Sequence, residues 1–259
     1  MMKKSTKVIA MMMIGIFLCM LDTTVMNIAL PAIQTGLNTD LTHLSWALNI
    51  YTVLFASLAI PLGRLADVWG RGRMYLIGLG LFGIGSLTSG LSLSVGLLIT
   101  GRAFQSIGAA IVFPASMTIG IQSVALSRRT GVIASLGVMQ GLAAALGPTI
   151  GGAVTQFWGW RGIFLINVPL VAVALCGCIA WLSWRHPSHG QVKLDLGGSA
   201  LVMTTLLALT LVLVKGNDWG WTSRVVLSLG VTSALTLIAF VWMEAHVSAP
   251  MVPLALFKD

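Results

Sequence analysis

The chain has 259 residues, of which 57% are hydrophobic and only 8% charged, and its formal net charge is +8. Soluble domains carry about 25% charged residues, and a soluble chain this apolar would expose large greasy patches, so lipid is the expected solvent. The basic residues stand singly between apolar runs and form no stripe, which argues against a nucleic-acid partner.

A bilayer core takes about 20 mainly apolar residues as helix. Eight such runs occur, at 8–30, 44–65, 74–93, 95–122, 131–157, 163–184, 196–214 and 225–244. Lys3 and Lys4 precede the first run as in a signal peptide. No small-residue cleavage site follows, and Asp22 interrupts the run, so it reads as an uncleaved first span. The third and fourth runs almost touch, which requires a tight hairpin at 92–94. The polar segment 185–195 separates six runs from the last two. The expected organisation is a six-span N-terminal bundle at 1–184, a cytoplasmic linker at 185–195, two additional spans at 196–245, and a loop at 246–259 leading toward a further element.

Lys and Arg in short loops set orientation. With the N-terminus inside, 11 of them fall in cytoplasmic segments (Lys3, Lys4, Lys7, Arg64, Arg71, Arg73, Arg128, Arg129, Arg185, Lys193, Lys258) and three outside (Arg161, Lys215, Arg224). Eight spans then place both termini in the cytoplasm. Trp158, Trp160, Trp219 and Trp221 fall at outer borders, and Trp69, Trp184 and Trp242 near inner ones, where indole rings favour the headgroup level.

Asp22 lies about 21 Å along the first run, too deep for a short carboxylate to reach water by snorkelling. An ionisable residue at that depth is a functional candidate. Thr23 and Asn27 share a face of the same helix. Arg102, in the fourth run, is the one cation predicted within the spans. Gln105 lies on its face, three residues on. A buried or water-linked pair between Asp22 and Arg102 is the economical expectation. The turn after the second run, GRLADVWGRGR at 63–73, combines Gly63, Asp67, Gly70, Arg71 and Arg73 in a specific spacing. The fifth run carries the small-residue pairs Gly137/Gly141 and Gly147/Gly151, with Pro148 and Gly152 beside the second. Such pairs let helix backbones approach closely. Cys19, Cys176 and Cys178 sit in apolar runs and read as small hydrophobes. His43, His186, His189 and His246 lie in loops or at span ends and suggest no metal site. No nucleophile–base pair suggests an enzyme.

The loop at 63–73 resembles the signature between spans two and three of the major facilitator superfamily. GPTIGG at 147–152 resembles the antiporter motif of its drug exporters. LDTTVMNIALP at 21–31 resembles the first-span motif of the branch with 14 spans, the EmrB/QacA type. RAFQSIGAA at 102–110 and WRGIFLINVP at 160–169 are similar to the fourth- and sixth-span motifs. Ser106 stands where the family commonly has glycine, which implies looser packing at that turn. Gly72 and Gly162 replace a usual basic residue and a usual Trp.

The resemblance implies an all-α integral membrane fold: a six-helix bundle of the major facilitator type plus two further spans, with a C-terminal six-span bundle as missing partner. It implies proton-coupled export of lipophilic, cationic drugs by alternating access in the bacterial cell membrane. The energy source would be the proton gradient, with no cofactor and no metal. Asp22, Arg102, Asn27 and Gln105 would serve proton coupling and substrate. Gly63, Asp67, Gly70, Arg71 and Arg73 would form a gating loop, with Asp67 engaging a helix of the opposite bundle. Gly137, Gly141, Gly147, Pro148, Gly151 and Gly152 would seal the bundle interface. The rival reading is a truncated, non-transporting membrane protein, or a half-transporter that needs a second chain.

Overall fold

A computed structural model describes residues 4–182 and 195–247. Most of the linker at 185–195 and of the segment at 246–259, together with Trp184, His186 and His189, lies outside the described residues. The helices are α1 (Lys4–Leu37), α2 (Leu41–Trp69), α3 (Arg71–Gly90), α4 (Val95–Gln122), α5 (Arg129–Trp158), α6 (Gly162–Leu165), α7 (Asn167–Trp181), α8 (Leu196–Trp219) and α9 (Arg224–His246), with one 3₁₀ turn at Leu126–Arg128. No strand occurs among the described residues.

Among the described residues, each predicted run falls on helix, apart from the last three residues of the third run and Ile166 and Leu182 in the sixth. Four starts are capped by short polar side chains, which satisfy amides that have no partner within the helix. Asp40 accepts from the His43 amide at 2.7 Å, Ser94 from Leu97 at 3.3 Å, Asp195 from Gly198 at 2.9 Å and Ser223 from Val226 at 3.3 Å. The His43 amide, and then its ring, hold the Asp40 carboxyl below its ordinary value. Gly70 turns α2 into α3 with φ at 98°, a conformation that a Cβ would strain.

Seven of the described helical segments are long and apolar enough to cross a membrane, with α6 and α7 counting as one span, Gly162–Trp181. α3 is the eighth long helix. At 20 residues it also has the length, but glycine dilutes its hydropathy. The sixth run is less regular than its sequence suggests. Pro169 has no amide to donate to the Leu165 carbonyl, so one helical hydrogen bond is missing there, while Ile166 keeps α-helical backbone angles (φ −62°, ψ −24°).

α1 lies at the centre, against α4, α5 and α7. One apolar core gathers around its first half, with Met12, Ile16, Tyr75, Phe82 and Leu136. A second gathers around its latter half, with Met26, Ile33, Leu44, Leu98 and Phe164. The two meet at the level of Asp22. α3 and α4 cross most closely. A Cβ on Gly108 would lie 2.6 Å from the Phe82 amide nitrogen, and one on Gly85 would lie 2.6 Å from the Gly101 carbonyl oxygen. Ser106 does not loosen the neighbouring contact. Its hydroxyl donates to the Tyr51 carbonyl at 2.6 Å and ties α4 to α2.

α9 packs mainly on α8, and α8 in turn on α2. Val231, Leu235, Ile238 and Trp242 of α9 are exposed, as are Val138, Leu142 and Leu146 of α5. Contiguous apolar surface of this kind belongs in lipid, and the chain is a multi-pass membrane protein. The α8–α2 contact includes one buried cation. The Lys215 ammonium donates to Ser45 Oγ at 3.0 Å and to Asp218 Oδ2 at 2.7 Å, and lies 4.9 Å from the centre of the Trp46 ring. Lys215→Met is expected to weaken this attachment by about 1.5–3 kcal/mol, the range for hydrogen bonds to a charged group. Amide hydrogen exchange should then rise at least tenfold (order of magnitude) in α8 and α9 while α1 and α4 stay unchanged. Unchanged exchange in α8 would rule out this tether.

Candidate functional site

Asp22 stands near the middle of α1 and is 3% exposed. Isolated there, its charge would be very costly, so its surroundings decide what it can do. Arg102, projecting from α4 and 1% exposed, forms an ion pair through Nη1 with Asp22 Oδ2. The same Nη1 donates to Gln105 Oε1 at 3.0 Å, and Nε donates to the Ala47 carbonyl of α2 at 3.2 Å. The guanidinium lies 4.3 Å from the centre of the Tyr51 ring, an arrangement that favours a cation over the π face. Gln105 Nε2 donates to Asp22 Oδ1 and to Ser86 Oγ, both at 2.9 Å. Ser89 Oγ donates to Gln105 Oε1 at 3.4 Å. Asn167 Nδ2, at the start of α7, donates to Asp22 Oδ1 at 3.3 Å. One carboxylate thus links helices α1, α4 and α7, with α3 joined through Gln105 and α2 through Arg102.

Three of the sequence candidates, Asp22, Arg102 and Gln105, meet in this network. Asn27 does not join them. It is exposed, and its amide donates to the Thr23 carbonyl at 3.4 Å along its own helix. Sequence reasoning passed over Asn167, Ser86 and Ser89 as site residues. Asn167 lies within the sixth-span motif at 160–169, the one signal in the sequence that points to it. The serines sit among the glycines of α3, where nothing local sets them apart.

The fifth-span glycines divide into two groups. A Cβ on Gly147 would lie 2.6 Å from Thr24 Cβ, and one on Gly151 would lie 3.1 Å from Val25 Cγ1. These two let α5, with Pro148 inside it, pack on α1 just beyond Asp22. Gly137, Gly141 and Gly152 have open space where a Cβ would stand, so among the described residues they close no contact.

At the α2–α3 corner, Arg71 Nε donates to Asp67 Oδ1 at 2.7 Å, and each side chain is 30% exposed. Asp67, Arg71 and Gly63 line a cleft of about 160 Å³ whose far wall includes Pro114 of α4. Arg73 is exposed, and a Cβ on Gly63 would meet nothing within 4 Å. The corner and the carboxylate network are separate sites.

Comparison with known proteins agrees with this architecture. Residues 12–256 match the Major Facilitator Superfamily. The chain is 33% identical over 249 residues to the multidrug resistance protein Stp of Mycobacterium tuberculosis, covering 95% of this chain and 46% of that protein. It is 34% identical over 256 residues to the methylenomycin A resistance protein of Bacillus subtilis, covering 97% and 54%. It is 36% identical over 244 residues to the cephamycin export protein CmcT of Amycolatopsis lactamdurans, covering 93% and 50%. The chain spans about half the length of these curated relatives. An all-helical bundle centred on an apolar first helix, matched by the family pattern over nearly its whole length, places this chain in the major facilitator superfamily.

Proposed function

We propose that the chain is the N-terminal half of a drug:proton antiporter of the 14-span type, exporting lipophilic, cationic compounds by alternating access without converting them chemically. The observation that carries this reading is the enclosed Asp22–Arg102–Gln105 network. A buried carboxylate paired with one guanidinium is close to balanced. Protonation of Asp22 removes the charge–charge attraction between α1 and α4 and leaves Arg102 without its counterion. Loading and unloading one proton therefore changes the helix contact beside which α5 crosses α1 on Gly147 and Gly151. That is a means of coupling proton occupancy to bundle shape. The relatives, a multidrug resistance protein and a cephamycin export protein among them, support drugs as the cargo. A second bundle of six spans would complete a midplane site, as in two-bundle transporters generally.

The test is efflux of a quaternary ammonium dye from cells that make this chain together with a second-half polypeptide from a relative. Export should stop on adding an uncoupler. Asp22→Asn should reduce it at least tenfold (order of magnitude) while membrane insertion is unchanged. Full export by Asp22→Asn would exclude Asp22 as the coupling group.

A further inference from the structure

An ionised carboxylate only accepts hydrogen bonds, whereas a protonated one must also donate once. The neighbours of Asp22 are unequal in their ability to receive that bond. Oδ2 faces Arg102, which has donors only. Oδ1 faces two amides, Gln105 at 2.9 Å and Asn167 at 3.3 Å. Gln105 cannot turn over. Its Oε1 is already the acceptor for Arg102 Nη1 at 3.0 Å and Ser89 Oγ at 3.4 Å, and reversal would set its NH₂ against the guanidinium. Asn167 is held on one side only. It is 1% exposed, and its Oδ1 is buried with no hydrogen-bond partner among the described residues. A buried carbonyl left without a donor is costly, and here it belongs to the one amide beside Asp22 that is free to reverse. The charged or titratable groups around Asp22 are Arg102 of α4, Tyr51 of α2 and Cys19 of α1. The Tyr51 hydroxyl is engaged, donating to the Cys19 carbonyl at 3.4 Å. From α3 and α7 come only Ser86, Ser89 and Asn167, and α5 meets α1 through glycine.

We propose that the Asn167 amide is a positioning switch that follows the proton on Asp22. With Asp22 ionised, Asn167 Nδ2 donates to Oδ1. When Oδ1 takes a proton from water, the amide turns over and its carbonyl accepts the new Asp22 O–H. When the proton returns to water, the amide turns back. Asn167 itself neither gains nor loses a proton. Both charge states of Asp22 then keep a hydrogen bond to Asn167, as donor or as acceptor. Asn167 is also the first residue of α7. The inference rests on the reading of Asp22 as the proton-carrying group.

Infrared difference spectra between acid and alkaline pH, taken on the 259-residue chain in lipid bilayers with isotope-labelled asparagine, test it. The expected spectrum holds a protonated-carboxyl band that is absent in Asp22→Asn. A labelled amide band that is absent in Asn167→Leu should shift with the same midpoint. In Asn167→Leu the carboxyl band should shift upward, toward but short of a free acid because Arg102 and Gln105 still donate to it, and the midpoint should move by less than about one pH unit, because each charge state loses one bond. Asn167→Thr, whose hydroxyl both donates and accepts, should return the carboxyl band toward its original position. An amide band insensitive to pH, with a midpoint raised by about one unit or more in Asn167→Leu, would mean a fixed donor and overturn the switch while leaving Asp22 as proton carrier. The unsubstituted protein settles the amide question even where the leucine variant does not fold. Absence of any titrating Asp22 band would overturn the switch and the antiport reading together.

Discussion

Arg102→Leu is expected to destabilise the folded chain by about 3–5 kcal/mol, the cost of leaving one partner of a buried ion pair alone. The magnitude follows from what stays behind. Asp22 is 3% exposed and would keep two amide donors but no cation. The Ala47 carbonyl and Gln105 Oε1 would each lose a donor as well. Asp22→Asn/Arg102→Leu should recover most of the loss, since a buried pair replaced by uncharged groups of similar size is often neutral or better. Arg102→Lys should fall between, because an ammonium keeps the charge but lacks the planar fork that reaches Asp22, Gln105 and Ala47 together. The check is thermal unfolding in detergent, followed by loss of helix signal, across the full double-mutant cycle. Additive single effects would show that the two side chains do not depend on each other.

Gly108→Ala is the second large effect. The added methyl would stand 2.5 Å from the Gly78 carbonyl oxygen and 2.6 Å from the Phe82 amide nitrogen. These are backbone atoms of α3 and cannot turn aside as a side-chain end can. Overpacking of this sort costs about 1–3 kcal/mol. It outweighs the 0.5–1 kcal/mol or so by which alanine favours a helix over glycine. The same change at Gly137, where a Cβ meets nothing within 4 Å, carries the propensity gain without the clash. Unfolding midpoints should therefore fall for Gly108→Ala and hold or rise for Gly137→Ala. A neutral Gly108→Ala would mean that α3 and α4 can separate at little cost.

The contrast between these glycines marks where the sequence is informative. Helix positions were legible because length and hydropathy alone decide what spans a bilayer. Asp22 and Arg102 were legible because charge at that depth has few solutions, and Gln105 because it follows Arg102 by three residues. Spacing did not reveal which way a small-residue pair faces, so Gly137 and Gly147 look alike in sequence and differ in space. Asn27 shows the same limit, since it shares a helix with Asp22 but points away from the network. Asn167 reaches Asp22 across 145 residues of chain. Such a contact exists only once α1 and α7 are packed.

The α2–α3 corner has a consequence of its own. Asp67 stands in the last turn of α2 and Arg71 opens α3. The aligned peptide dipoles make the end of a helix partly negative and its beginning partly positive. Each charge therefore sits at the helix end whose sign matches its own, and either alone would be repelled by the backbone that carries it. Their ion pair cancels two misfits at once. With both side chains 30% exposed, that cancellation is screened by water, and exposed pairs contribute about 0–1 kcal/mol. The pair is thus closed by default and cheap to open. A helix beginning brought up to Asp67 offers the carboxylate the complementary sign that its own helix denies it, and the departing guanidinium gives up little.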